Sequence, residues 1–333
     1  MSRLRLSYGG VSYLDRTRAL ETGAVVPAGI DLMYVVPESI ADLFRGVANH
    51  AEFDVAEMSF CTLMIMVAKG DDRLVGLPIF PSRAFRHSQI YVNANAGLNS
   101  PSDLAGRQVG IQEYQMTAAL WVRAHLEHDY QVRPDQIHWK TGGLYVPRFA
   151  DRMPIELPPG VELSRIPDGE TLEGMLLDGR LDALVTTEPP RAFVARRPEV
   201  TRLFRDHRSV ELEYYKRTGF FPIMHTVVMR RDVYEANRWI AMSLLNAFNE
   251  SKRLGLERLR YQGALAVELP WLSSEVEELD ALFGGDPYPY GLRQNLPILE
   301  AMTSFAHEQG LTARKLDPRE LFAPEGWIDS IPG

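Results

Sequence analysis

Two α/β lobes, the first interrupted by insertion of the second, form the fold that this sequence predicts, and three observations support it. Strand-like apolar runs alternate with apolar residues at helical spacing from 4 to 93, and again from 100 to 187. After that the chain supplies one more strand and a long helical third. Its 333 residues are too many for one small core.

The first series reads as strands at LRLSY (4 to 8), DLMYVV (31 to 36), FDVAE (53 to 57), LVGLPIF (74 to 80) and IYVN (90 to 93). Helical spacing appears in ESIADLFRGV (38 to 47) and FCTLMIMVAKG (60 to 70), and this βαβα order predicts a parallel sheet. In the second series, SPSDLAG places Ser100 as a cap, Pro101 in the first turn and Asp103 near the positive end of a short helix. Strand RQVGI (107 to 111), helix TAALWVRAHLEHDY (117 to 130), strand IHWK (137 to 140), helix TLEGMLLDGR (171 to 180) and strand DALVTT (182 to 187) follow.

The last strand is HTVVMR (225 to 230). Helices in WIAMSLLNAFNESKRLGL, SSEVEELDALF and NLPILEAMTSFAHEQGL then complete the first lobe. The expected division is 1–92 plus 223–333 for one lobe and 93–222 for the other, with a ligand cleft between them. The Gly- and Pro-rich loop from 142 to 162 reads as an excursion beside that cleft.

Hydrophobic residues at 45% and charged residues at 24% are the values of a globular chain with enough apolar side chain for real cores. The 44 acidic residues against 36 Lys and Arg, a formal charge of −8, argue against a nucleic-acid or anionic-membrane partner. No apolar run reaches the ~18 residues of a membrane span. The start, MSRLRLSYGG, lacks the apolar centre of a signal peptide, so the expected location is the cytoplasm. The single cysteine, Cys61, forms no intramolecular disulfide and fits a reducing compartment. The helical third offers surface for homo-oligomerisation without a heptad seam. Walker, GxGxxG, CxxC and GxSxG motifs are absent, and no cofactor or metal is expected.

The stretch FPSRAFRHSQIYVN (80 to 93) brings Arg83, Arg86 and His87 together in an acidic chain, after a strand and hence at its carboxyl end, where open α/β sheets bind ligands. Arg pairs bidentately with carboxylate, and several cations suit a dianion; ordinary surface ion pairing is the alternative. The turns AEMSF (56 to 60) and QEYQMTA (112 to 118) each precede a helix whose N–H groups favour an anion, with Ser59 and Thr117 as caps or ligand donors. Glu57 and Glu113 lie in these turns as candidate proton carriers, or as salt-bridge partners of the arginines. Tyr114 either meets the substrate or packs. Gln115 beside it, and Thr187 at the end of strand 182 to 187, complete the substrate-binding candidates.

In FFPIMHTVVMR, His225 begins a strand, either as a core residue or as a proton-transfer group near neutrality. His125 and His128, spaced i, i+3, lack a third metal ligand and read as a solvated helix end. Cys61, near a helix start, reads as a small buried residue rather than a reactive thiolate.

The blocks FDVAEMSF, IFPSRAFRHSQIYVN, SPSDLAGRQVGIQEYQMTAALWVR, GFFPIMHTVVMRRDVYEAN and DPYPYGLRQN together resemble the 4,5-dihydroxyphthalate decarboxylase family, in order from about residue 30 onward. The resemblance implies a fold similar to type 2 periplasmic solute-binding proteins. It also implies an aromatic-acid carboxy-lyase of phthalate breakdown, converting 4,5-dihydroxyphthalate to protocatechuate and CO2 without a cofactor. On that basis Arg83 and Arg86 would hold adjacent carboxylates, and His225 or Glu57 would protonate the ring. Glu113 or His87 would accept the phenolic proton, and Phe85, Phe220 or Met224 would face the leaving group. The competing expectation is a carboxylate-binding protein of a transporter or sensor.

Overall fold

The structure, a computed structural model, describes residues 3–147 and 153–323. Its strands in chain order are β1 (Leu4–Gly9), β2 (Ile30–Val35), β3 (Val55–Ser59), β4 (Leu74–Arg83), β5 (Ile90–Asn93), β6 (Gln108–Ile111), β7 (His138–Thr141), β8 (Glu162–Arg165), β9 (Ala183–Val185), β10 (Val200–Arg202) and β11 (Ile223–Arg230). They form two sheets, β2-β1-β3-β11-β4 and β10-β5-β9-β6-β7-β8.

Both sheets are mixed, which corrects the expected parallel sheet. In the first, β1 runs parallel to β2 and β3, whereas β11 is antiparallel to its neighbours β3 and β4. In the second, β9, β6, β7 and β8 run parallel, and β5 is antiparallel to β9 and β10. The reversed strand is in each case the first that the chain contributes on crossing between the two units. Hydrophobic pattern encodes burial, not strand direction, so the reversal is invisible in sequence.

The described residues divide into one unit of those up to Arg83, Ile223–Glu300 and from Asp317, and another of Ala84–Pro222 and Ala301–Leu316. The crossover therefore falls after Arg83 rather than at 92, because β5 pairs only within the second sheet. The C-terminal third is also shared, since 301–316 joins the second unit. Of the excursion read at 142 to 162, residues 148–152 lie outside the described residues; its end leads into β8, an unforeseen edge strand.

In the first unit β3 is buried at every position and feeds the helix Phe60–Ala68, whose first seven residues are all buried. Cys61 is among them, fully enclosed as expected. Burying an aliphatic or aromatic side chain of this kind contributes about 1.5–3 kcal/mol each, so this strand and helix anchor the core. In β4, Pro78 and Pro81 lack the N–H that a ladder requires, and the β4–β11 register shifts twice. The carbonyl of Pro78 instead accepts from Gly291 N at 2.8 Å, which ties the 286–295 segment to the sheet. No helix among the described residues is long and apolar enough to cross a membrane.

Candidate functional site

The register of β3 against β11 pairs His225 with Ser59 and Val227 with Glu57. His225 and Glu57 are thus diagonal neighbours on one face of the sheet, within reach of each other. Nδ1 of His225 lies 2.6 Å from Oε1 of Glu57. That carboxylate is fully buried, in the middle of a sheet, where an ionised group is tolerated only with hydrogen-bonded partners. It has three: His225, the hydroxyl of Tyr13 donating to Oε1 at 2.7 Å, and the backbone N–H of Val11 donating to Oε2 at 3.0 Å. The His225 side chain keeps 16% of its surface exposed, and Phe44 packs edge-on against its ring at 4.8 Å. With Nδ1 committed to Glu57, Nε2 is the nitrogen placed to exchange a proton with a ligand.

Val11 and Tyr13 belong to the turn after β1. Gly10 makes that turn possible, because a Cβ there would sit 2.4 Å from the hydroxyl of Tyr8. The carbonyl of Val11 accepts from Tyr34 Oη at 2.7 Å and Thr17 Oγ1 at 3.0 Å, while Tyr13 N donates to Thr17 Oγ1 at 2.9 Å. Loss of water contact, then the adjacent Glu57 carboxylate, push the Tyr13 phenol well above its ordinary pKa, so it stays a donor. Beside it the guanidinium of Arg16 lies between two rings, 4.3 Å from the Tyr13 centroid and 3.9 Å from that of Tyr288. Sequence reasoning missed Tyr13, Arg16 and Tyr288. The available signal is Gly9-Gly10 directly after a strand, a strand end like that of 80 to 93.

Arg83 is the last residue of β4 and is buried, not part of an exposed loop. Its Nη2 donates to Pro289 O at 3.1 Å and to Asn295 Oδ1. Asn295 Nδ2 in turn donates to Pro289 O and Gly291 O at 3.0 and 2.7 Å, so the DPYPYGLRQN block is folded around Arg83. Lys252 is held by Asp286 Oδ2 at 2.6 Å and Tyr288 O at 2.7 Å, and burial lowers its pKa against the opposing pull of Asp286.

Ser59 stands at the N-cap position of Phe60–Ala68, yet its side chain makes no capping bond. In the second unit Met116 caps Thr117–Tyr130, and Thr117 is its first residue rather than its cap. Met224, next to His225 in β11, is buried at the point where the β4–β11 register shifts.

The remaining candidates lie in the second unit. Arg86 donates to Gln89 Oε1 and is buried. Glu113 and Gln115 are buried in the turn after β6; Thr187 is exposed, its carbonyl accepting from Gln89 Nε2 at 3.4 Å. Tyr114 packs, since the guanidinium of Arg123 covers its ring at 3.7 Å and Trp139 meets it edge-on. Arg123 is fixed by Gln309 Oε1 at 2.7 Å. Phe85 packs against Phe221 with its ring tilted, and Phe220 meets Trp121, both contacts within this unit.

His87 is not a surface cation: it is buried and stacks on His125, ring centroids 4.3 Å apart. Burial first, then Arg217, lower its pKa to about 4; burial first, then His87, push His125 well below its usual value. The helix end at His125 is accordingly a core, while His128 turns outward to Glu308 at 2.9 Å. Ligand atoms of His87, His125 and Asp129 lie within 4.8 Å of one another. The rings are inclined by only 19°, so their in-plane lone pairs do not converge, and Asp129 is paired with Arg217 at 2.7 Å. Both contacts would have to break before a metal was held there.

No protein-family model matches the chain. A 4,5-dihydroxyphthalate decarboxylase of Comamonas testosteroni is 37% identical over 324 residues, which cover 97% of this chain and 98% of that protein. One of Pseudomonas putida is 34% identical over 220 residues, covering 66% of this chain and 84% of that protein. Among solved structures, the periplasmic aliphatic sulphonate binding protein SsuA of Escherichia coli is similar with a TM-score of 0.56 at 14% identity, over 96% of this chain and 98% of that one. The alkanesulfonate-binding protein SsuA of Xanthomonas axonopodis pv. citri, bound to MOPS, gives 0.55 at 12%, over 97% and 99%. At such identities the likeness shows the fold, the two-lobed α/β architecture of periplasmic binding proteins. The extent and identity of the sequence match show the family: the chain belongs to the 4,5-dihydroxyphthalate decarboxylase family.

Proposed function

We propose that this protein is a decarboxylase acting on 4,5-dihydroxyphthalate or a close hydroxylated aromatic acid, with His225 as the proton donor to the ring. The observation that carries the reading is the pairing of His225 Nδ1 with the buried Glu57 carboxylate in a chain whose relatives bear that name. The buried carboxylate holds Nδ1 and so orients the imidazole, leaving Nε2 as the atom turned to the ligand.

The reaction balances with few parts. His225 delivers a proton to the ring carbon that bears the departing carboxylate, and the hydroxyl para to it releases electrons to stabilise the cationic ring. The carbon–carboxylate bond then breaks, its electron pair restores the aromatic ring, and CO2 leaves. His225 recovers its proton from water. For 4,5-dihydroxyphthalate the product is 3,4-dihydroxybenzoate. Because the substrate's own phenol supplies the electrons, the scheme demands no external electron sink. Glu57 holds the imidazole in place through each cycle.

Incubation of the purified protein with 4,5-dihydroxyphthalate, followed by product spectra and CO2 release, tests the reading. Equimolar CO2 and 3,4-dihydroxybenzoate are expected. Tight binding of the acid without CO2 release would favour a solute-binding role instead, and neither binding nor release would remove the substrate.

A further inference from the structure

Three buried cations of the first unit border the turn after β1, the end of β4 and the 286–295 segment, and two of them are already committed. Arg83 is used by Pro289 and Asn295, and Lys252 by Asp286 and the carbonyl of Tyr288. Arg16 differs. It is buried, and its ion-pair partner is Asp15, through Nε at 3.2 Å, on one edge of the planar fork. Among the described residues no carboxylate other than Asp15 pairs with it.

The rings of Tyr13 and Tyr288 lie against the guanidinium, which fixes the plane in which the N–H groups point. A guanidinium held in one plane is prepared for the in-plane, two-oxygen geometry of a carboxylate, with little rotamer freedom left to lose on binding. The same Tyr13 places its hydroxyl on Glu57 Oε1, the oxygen that also holds His225 Nδ1. One tyrosine therefore touches both the guanidinium and the carboxylate that orients the imidazole.

We propose that Arg16 is the anchor for the carboxylate that the substrate keeps, setting the neighbouring ring carbon against His225. This rests on the reading of the site as one for an aromatic dicarboxylate. Its energetic sense is that a cation clamped on the departing carboxylate would stabilise the ground state and slow the reaction, whereas one on the retained carboxylate adds binding without that penalty. The assignment replaces the expectation that Arg83 and Arg86 hold the two carboxylates.

Phthalate, which has both carboxylates but no hydroxyls to drive decarboxylation, and benzoate, which has one carboxylate, are the probes. Each is titrated by calorimetry into the wild type, Arg16→Gln, Arg16→Lys and His225→Asn proteins, with thermal melts confirming that each is folded. The wild type and His225→Asn are expected to bind phthalate at least about tenfold tighter than benzoate, the worth of one charge-assisted pair. Arg16→Gln should bind the two alike, and Arg16→Lys, which keeps the charge but loses the fork, should fall between. An Arg16→Gln or Arg16→Lys protein with the full wild-type preference would overturn the assignment, as would a wild type with no preference. A wild type that shows the preference but releases no CO2 from 4,5-dihydroxyphthalate would keep Arg16 as the anchor and remove the decarboxylase reading.

Discussion

Oε1 of Glu57 receives both Nδ1 of His225 at 2.6 Å and the hydroxyl of Tyr13 at 2.7 Å, although His225 is 168 positions away in the chain. A single carboxylate oxygen thus joins the turn after β1 to the strand by which the chain returns from the second unit.

Tyr13→Phe removes one of the three donors to a fully buried carboxylate while keeping the ring that packs on Arg16. We expect a loss of about 1–3 kcal/mol in unfolding free energy, read from urea midpoints. No change in stability would mean that the hydroxyl bond is not formed in solution.

Arg83→Gln should act mainly on stability. It takes the charged donor from Asn295 Oδ1 and Pro289 O, and the 286–295 segment would lose its fixed point. A loss of about 1–3 kcal/mol with a KM raised no more than a few-fold is expected. A large rise in KM with unchanged stability would return Arg83 to the role of substrate contact.

The fold and the site were legible to different degrees. Helix Thr117–Tyr130 and strand β5 were read with their observed bounds because each is a distinct apolar run, buried at every position in β5 and over the first ten residues of the helix. Helix His207–Thr218 was missed because only Tyr214 in it is buried, leaving no stripe to detect. The edge strand β8 is largely exposed and β10 is three residues long, so neither carries a period-2 signal. His225 and Glu57 were each legible as strand-end residues, but their partnership depends on the register of two strands far apart in sequence. His87 misled because a local cluster of cations says nothing about which way each side chain points, and this one turns inward to His125.

Acid should destabilise the second unit through that histidine stack. His87 has a folded pKa of about 4 against 6.5, so between these values the unfolded chain binds a proton that the folded chain does not. Stability is therefore full above pH 6.5 and lost as pH falls towards 4, by roughly 3 kcal/mol for His87 alone. His125 adds in the same direction. Arg217 opposes protonation of both rings and Asp129, paired to it, partly offsets this, while Tyr214 and Phe204 contribute no charge. Urea unfolding across this window should show the slope, and His87→Phe should flatten it. An equal slope in the variant would place the acid-sensitive groups elsewhere.

The central claim is that His225 gives the ring its proton, and the most direct measurement is turnover in D2O by the wild type and by His225→Asn. The wild type should release CO2 from 4,5-dihydroxyphthalate and place one deuterium at the vacated ring carbon, seen by NMR. In His225→Asn kcat should fall about 10²–10⁴-fold with KM little changed. A variant that turns over at the wild-type rate, with the same deuterium incorporation, would contradict the account.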